Sequence, residues 1–166
     1  MYSGILRQAS MDDIESICVI YNDAVLNSTA TFDICEKSIL EMKAWLLSHD
    51  QRHPLCVVDV EGTVVAWGSL SKCFQRGAYV DMSEISIYVA STYRRLGFGK
   101  NILLWLIEQA KVHRYHTIIG FVTGGNSASI SLLKSCSFTH IGTMKEVGIK
   151  FGRRLDIEVW QFMIYG

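Results

Sequence analysis

A chain of 166 residues, 49% of them hydrophobic, can bury one sizeable core, and residues 1–166 are read as a single domain. Its 16 Lys and Arg balance 16 Asp and Glu, and zero formal net charge excludes a general affinity for nucleic acid, which needs a basic surplus. Residues 1–7 lack a basic region followed by a long apolar segment, so no signal peptide is expected, and the apolar run 102–107 is too short to cross a membrane. Cys18, Cys35, Cys56, Cys73 and Cys136 sit at no metal or redox spacing, so buried, reduced thiols in a cytoplasmic protein without a metal are expected.

In chain order, residues 5–8 read as a short strand. Ser10 with Asp13 is an acidic form of the capping box, and Ile14, Ile17, Cys18 and Tyr21 predict a helix to about Val25. Residues 27–33, rich in Ser and Thr, read as a loop. Ile39, Met42, Lys43 and Leu46 predict a second helix that ends before the lone proline, Pro54. Runs 55–60 and 64–70 join at Glu61-Gly62, a hairpin signal, and 79–89 is a third strand-like run interrupted by Asp81, Ser83 and Glu84. The turn Arg94-Arg95-Leu96-Gly97-Phe98-Gly99-Lys100 opens a helix with Leu103, Leu106, Ile107 and Ala110 on one face. A β-branched strand (117–122), a short helix (126–134) and two long strands (138–147 and 156–165) follow. Strands outnumber helices and surround one strand–helix–strand unit, which indicates an α+β or mixed α/β sheet rather than a doubly wound one.

Glycines allow positive φ and close approach of a ligand, and free N–H groups at a helix start favour an anion. A nucleotide P-loop would need Ser or Thr after Gly99-Lys100, where Asn101 stands. A dinucleotide fingerprint would need glycine at position 102, which is Ile. A third pattern, Arg or Gln, two free positions, Gly, one free position and Gly, is met by Arg94, Gly97 and Gly99.

With this turn the chain resembles the GNAT superfamily of acyl-CoA-dependent N-acetyltransferases. The segment Asn126-Ser127-Ala128-Ser129-Ile130-Ser131-Leu132, ending in Phe138, is similar to that family's asparagine-to-phenylalanine helix motif. Tyr21-Asn22 with Thr29, Thr31 and Phe32 resembles the N-terminal signature of the phosphinothricin N-acetyltransferase branch. Arg76, Tyr79 and Glu84 before Ile87-Tyr88-Val89, and residues 147–152 with Asp156 and Trp160-Gln161, resemble its central and C-terminal patterns. The resemblance implies a GNAT fold: a central, mixed, mostly antiparallel sheet of about seven strands flanked by about four helices. It also implies acetyl-CoA as donor, a small amine such as phosphinothricin or methionine sulfoximine as acceptor, and a homodimer without nucleic-acid or membrane partners.

The same resemblance assigns residues. Ile87, Tyr88 and Val89 would pair with the pantetheine arm, with an N–H expected at Val89 near the thioester carbonyl. Arg94, Arg95, Leu96, Gly97, Phe98, Gly99 and Lys100 would hold the pyrophosphate, and Asn126 and Ser135 would also contact the coenzyme. Phe32, Arg76, Tyr79 and Glu84 would form the acceptor site, Arg76 binding an acidic group of the acceptor.

Amine acetylation requires a base, because the acceptor is an ammonium at neutral pH. Glu84 interrupts an apolar strand, where burial raises a carboxylate pKa; the residue alone reads rather as a solvent-facing glutamate, and the resemblance, whose catalytic glutamate sits at this place, reverses that. Asp81, placed on the opposite face by strand alternation, and the more distant Glu158 compete with it. Asn126 is equally a helix N-cap, and Phe32 and Tyr79 equally core aromatics.

Three residues depart from the family pattern. Leu133 stands where many relatives have Tyr or His, although a thiolate leaving group, with a thiol pKa of about 8.5, departs without much help from an acid. Ser137 replaces a usual glycine, and Arg154 a usual aromatic. The alternatives are a GNAT enzyme for a polyamine, an aminoglycoside or a protein N-terminus, or a non-catalytic acyl-CoA sensor. His49 and His53 precede Pro54 and do not read as a metal pair. Lys145, Lys150, Arg153 and Arg154 read as a solvated basic turn.

Overall fold

The computed structural model describes residues 3–165; Met1 and Tyr2, part of the segment read above for a signal peptide, and Gly166 lie outside the described residues. One seven-stranded sheet runs in the order β1 (Ile5–Gln8), β2 (Leu55–Val60), β3 (Thr63–Lys72), β4 (Met82–Val89), β5 (Thr117–Thr123), β7 (Arg153–Met163), β6 (Thr139–Lys150). Every neighbouring pair is antiparallel except β4–β5. A parallel pair needs a long crossover, and helix α3 (Phe98–Val112) supplies it. Helices α1 (Ile14–Asn27), α2 (Ile39–Leu47) and α4 (Ser127–Ser135) complete the expected mixed sheet with four helices.

Two cores sandwich the sheet. On one face Ile102, Leu103, Leu106 and Ala110 of α3 pack with Leu133 of α4 against Val58, Leu70 and Ile118. On the other, Ile14, Ile17 and Cys18 of α1 and Met42 of α2 pack against Val57 and Trp67. Gly68 lets α3 approach β3, since a Cβ there would collide with the Ile102 side chain. Among the described residues no helix is long and apolar enough to cross a membrane.

The structure corrects several boundaries. Ser10 and Asp13 form the expected box, the Ser10 N–H donating to Asp13 Oδ2 at 2.7 Å, but a 3-10 turn (Met11–Asp13) precedes α1. Residue 79 does not open a strand: Gly77–Tyr79 is a 3-10 turn, and β4 starts at Met82. Asp81 therefore escapes the alternation argument, and its carboxylate instead meets Arg52 at 3.3 Å. The last hairpin is longer than expected, because the ladder continues to Lys150 and Arg153 around Phe151 (φ 50°) and Gly152 (φ 69°). Cys18, Cys56 and Cys136 are buried, but Cys35 is exposed and Cys73 half-buried, against the expectation of buried thiols throughout.

Ser137 explains its own oddity. The N–H of Ser137 bonds Lys134 O at 3.1 Å and that of Phe138 bonds Leu133 O at 3.1 Å, the two bonds of a Schellman helix end. That motif needs a left-handed residue at position 137, and Ser137 has φ 65°. A serine thus occupies a conformation suited to glycine.

Candidate active site

Strands β4 and β5 pair at Met82–Thr117, Ser83–Ile118 and Glu84–Ile119 and no further, although β4 stays paired to β3, and β5 to β7, well beyond. The sheet therefore opens into a wedge. Residues 85–88 of β4 and 120–123 of β5 line a cleft of about 720 Å³ there. Strand alternation divides it. Ile85, Ile87 and Val89 join the core under α3 and α4, whereas Tyr88 joins the aromatic cluster on the α1–α2 side and shares its face with Glu84 and Ser86.

Glu84 sits at the apex of the wedge. Burial alone raises its pKa above the usual carboxylate range, with no hydrogen bond or charge among the described residues offsetting it. Burial, with the Glu84 charge adding to it, lifts the neighbouring Cys73 thiol to about 11. The rival Glu158 accepts a hydrogen bond from Trp160 Nε1 at 3.1 Å and does not line the cleft.

Beyond the other end of the wedge, the exposed segment 94–97 leads into α3. Gly97 is left-handed at φ 89°, and a Cβ there would meet nothing within 4 Å, so backbone angle rather than packing demands glycine. The N–H groups of Lys100 and Asn101 both bond Gly97 O at 3.1 Å, while those of Phe98 and Gly99 precede any intrahelical acceptor. A Cβ on Gly99 would lie 3.4 Å from Leu132 and 4.0 Å from Ile87, two residues that line the cleft. Arg94 Nε donates to Val89 O at 3.2 Å, tying the turn back to β4. Asn126 caps α4, accepting from Ser129 N at 3.2 Å, and also lines the cleft. Leu133, also lining the cleft, is buried against Gly120 and has no proton to donate. Ser135 turns its hydroxyl back to Leu132 O at 2.8 Å and does not line the cleft.

The α1–α2 side is assembled from distant segments. Phe32 rests on Gly148 of β6, where any Cβ would collide with its ring. Lys150 is no member of a solvated turn: it is 4% exposed, and its Nζ donates to Thr31 O at 2.8 Å. Burial lowers its pKa, partly offset by Asp33. Tyr21 Oη lies 3.0 Å from Thr31 Oγ1 and donates to Asp33 Oδ2 at 2.7 Å, and Lys37 pairs with Asp33 at 3.1 Å. Trp67 contacts Trp45 at 5.4 Å and stacks on Tyr88 at 4.8 Å, completing an aromatic wall. Burial pushes the Tyr88 phenol up to about 12. Sequence reading missed Asp33, Lys37, Trp45 and Trp67 as cleft residues. Asp33 and Lys37 sit four residues apart on the α1–α2 connection, Trp45 on α2 and Trp67 on β3, and no single periodicity links these three segments.

Arg76 and Tyr79 are brought together with each other but not with the cleft lining. Arg76 O accepts from Tyr79 N at 3.1 Å, and the half-exposed Tyr79 ring packs on Phe74 at 4.9 Å. Among the described residues no group of three or more His, Cys, Asp or Glu could hold a metal ion.

Residues 17–138 match the model of the acetyltransferase (GNAT) family. The chain is 34% identical to an L-methionine sulfoximine/L-methionine sulfone acetyltransferase of Pseudomonas aeruginosa, over 96% of this chain and 94% of that one. A phosphinothricin acetyltransferase of Sinorhizobium meliloti, solved in complex with acetyl-CoA, superposes with a TM-score of 0.93 at 31% identity, covering 96% of this chain and 88% of that one. A ribosomal-protein-alanine N-acetyltransferase of Brucella melitensis superposes with a TM-score of 0.93 at 36% identity, covering 96% and 99%. The family model spans most of the chain, and relatives above 30% identity share its fold over nearly its whole length; the chain belongs to the GNAT acetyltransferase family.

Proposed function

We propose that this enzyme transfers the acetyl group of acetyl-CoA to the primary amine of a small amino-acid-like acceptor, of the methionine sulfoximine or phosphinothricin kind. The observation that carries this reading is Glu84, a carboxylate with a raised pKa at the apex of the cleft. In this reading Glu84 takes the ammonium proton and the neutral amine attacks the thioester directly. The open edge of β4 at Ile87, Tyr88 and Val89 receives the pantetheine arm, with the Val89 N–H near the thioester oxygen. Asn126 adds a polar contact from the cleft lining, Ser135 one from outside that lining when its hydroxyl leaves Leu132 O, and the N–H groups of Phe98 and Gly99, with Arg94, Arg95, Leu96, Gly97 and Lys100, take the pyrophosphate. The fit rests on the left-handed Gly97 and on free donors at the start of α3. Acetyl-CoA supplies the activated acyl group; everything else is positioning and proton handling by the chain.

Phe32 walls the acceptor, with Tyr79 beyond the cleft, and Arg76 receives its acidic group from the β3–β4 connection. Lys37, which lines the cleft itself, offers a second cation for that group. We place the enzyme in the cytoplasm as a homodimer. The edge strand β6 supports the dimer, with Ile141, Val147 and Ile149 more than half exposed along it, an edge that a second copy would cover. Light scattering that returns the monomer mass at micromolar concentration would exclude the dimer.

The decisive test is Glu84→Gln. With methionine sulfoximine as acceptor, thiol release should fall about 100-fold or more while acetyl-CoA affinity, measured by calorimetry, stays unchanged. Unchanged turnover would remove Glu84 from the mechanism. Turnover of spermidine, but not of methionine sulfoximine, would overturn the acceptor class.

A further inference from the structure

The proposed reaction leaves a proton behind. An ammonium and a thioester enter, an amide and a thiol leave, and one proton per turnover must reach solvent. The base that first holds it lies at the closed apex of the wedge, flanked by β3 on one side and β5 on the other. A path away from Glu84 is therefore part of the chemistry.

Ser71 of β3 stands directly opposite Glu84. Paired residues of antiparallel strands emerge on the same face with Cβ atoms about 4.5–5.5 Å apart. Both residues line the cleft. Behind Ser71 comes His49, just past the end of α2, its Nε2 3.2 Å from Ser71 Oγ. The other ring nitrogen, Nδ1, lies 2.9 Å from Trp45 O. A carbonyl can only accept, so Nδ1 carries the hydrogen and Nε2 is an acceptor aimed at the serine hydroxyl. The ring is held edge-on against Trp45 at 4.5 Å and remains half-buried, within reach of water.

We infer that Ser71 and His49 form the exit route for the reaction's proton, an inference that rests on Glu84 being the base. Protonated Glu84 gives its proton to Ser71 Oγ as the Ser71 hydroxyl gives its own to His49 Nε2. Glu84 returns to carboxylate, Ser71 is unchanged, and His49 becomes imidazolium. Once the serine hydroxyl has turned back, Nε2–H passes to water and the neutral ring is restored. No electrons change hands. Burial keeps His49 neutral between turnovers, with nearby Asp50 and His53 acting on it in opposite directions. On the Glu84 side, Cys73 and Tyr88 feel the carboxylate's charge, and both stay protonated.

The test compares Ser71→Ala, His49→Gln, their double variant and Glu84→Gln in the full chain, with acetyl-CoA and methionine sulfoximine from about pH 6 to 9. The two single variants and the double should lose the same roughly tenfold in kcat at low pH, with acetyl-CoA KM unchanged and activity restored by added imidazole. Equal losses at every pH, a raised acetyl-CoA KM or no rescue would mark a structural role and overturn the route. If Glu84→Gln is silent, the base assignment fails; if it is impaired while Ser71→Ala and His49→Gln match the parent, the route alone fails. Ring-nitrogen NMR gives a reading that needs no acceptor. Glu84→Gln should shift the titration of His49 in the parent but not in a Ser71→Ala background, and equal shifts in both would count against the route.

Discussion

At the α3 end of the cleft, neighbours in sequence supply the groups: Arg94 through Lys100 form one continuous turn, and its N–H donors follow from the helix start and the left-handed Gly97. At the α2 end, Phe32 depends on Gly148, Thr31 on Lys150 and Tyr21, and Asp33 on Tyr21 and Lys37. The first end is made of backbone and is stable to changes elsewhere. The second is made of side chains from segments more than a hundred residues apart, so single substitutions can reshape it. A common donor with varied acceptors is what this division would produce within one family.

The junction between the two ends should show the largest effect. If Glu84 is the base, it must be ionised to accept a proton, and burial has raised its pKa, so kcat/KM should fall as pH drops through that raised value. Two pH units below it the loss should approach 100-fold, and the acid limb should vanish in Glu84→Gln. The same shift has a stability sign. The folded state binds the Glu84 proton more tightly than the unfolded state, so stability is lost as pH rises from the unfolded pKa to the folded one. Glu84→Gln should therefore melt higher than the parent at pH 7 and lose that advantage near pH 4; equal melting at both would show that the carboxylate is not desolvated.

Lys150→Met tests the proposed acceptor end. Loss of a charge-assisted bond to Thr31 O should free the 28–33 loop and raise acceptor KM about tenfold, leaving acetyl-CoA KM alone. A matching rise in acetyl-CoA KM would erase the distinction between the two ends. Gly97→Ala tests the reverse. It strains a left-handed residue by about 1 kcal/mol and should weaken acetyl-CoA binding several-fold without touching acceptor KM.

The same division governed what could be read beforehand. Periodicity and glycine spacing located the strands, the four helices and the glycine turn before α3, because those signals are local. The interruption of an apolar strand marked Glu84 only as an oddity, since a solvent-facing glutamate reads the same way, and the family resemblance singled it out; the fold then sets it at the apex of the wedge. Lys150 misled for a physical reason: a basic residue near a turn normally faces water, and only the fold brings Thr31 O within its reach. Arg76 and Tyr79 carry a family spacing, yet the 3-10 turn that holds them sets them outside the cleft lining.

The smallest effect touches neither end. Ser137→Gly relieves the left-handed serine after α4 and should add about 1 kcal/mol, raising Tm by about 2–4 °C with both KM values unchanged. A shift in either KM would mean that the end of α4 shapes the cleft.

The three pairs between β4 and β5 carry a mechanical consequence. Along most of its length the sheet is two leaves, a four-stranded one and a three-stranded one, stitched together at one end. A pantetheine arm lying along β4 would act as a thread through the open seam. The enzyme's resistance to heat then becomes a gauge of donor occupancy, readable before any acceptor is known.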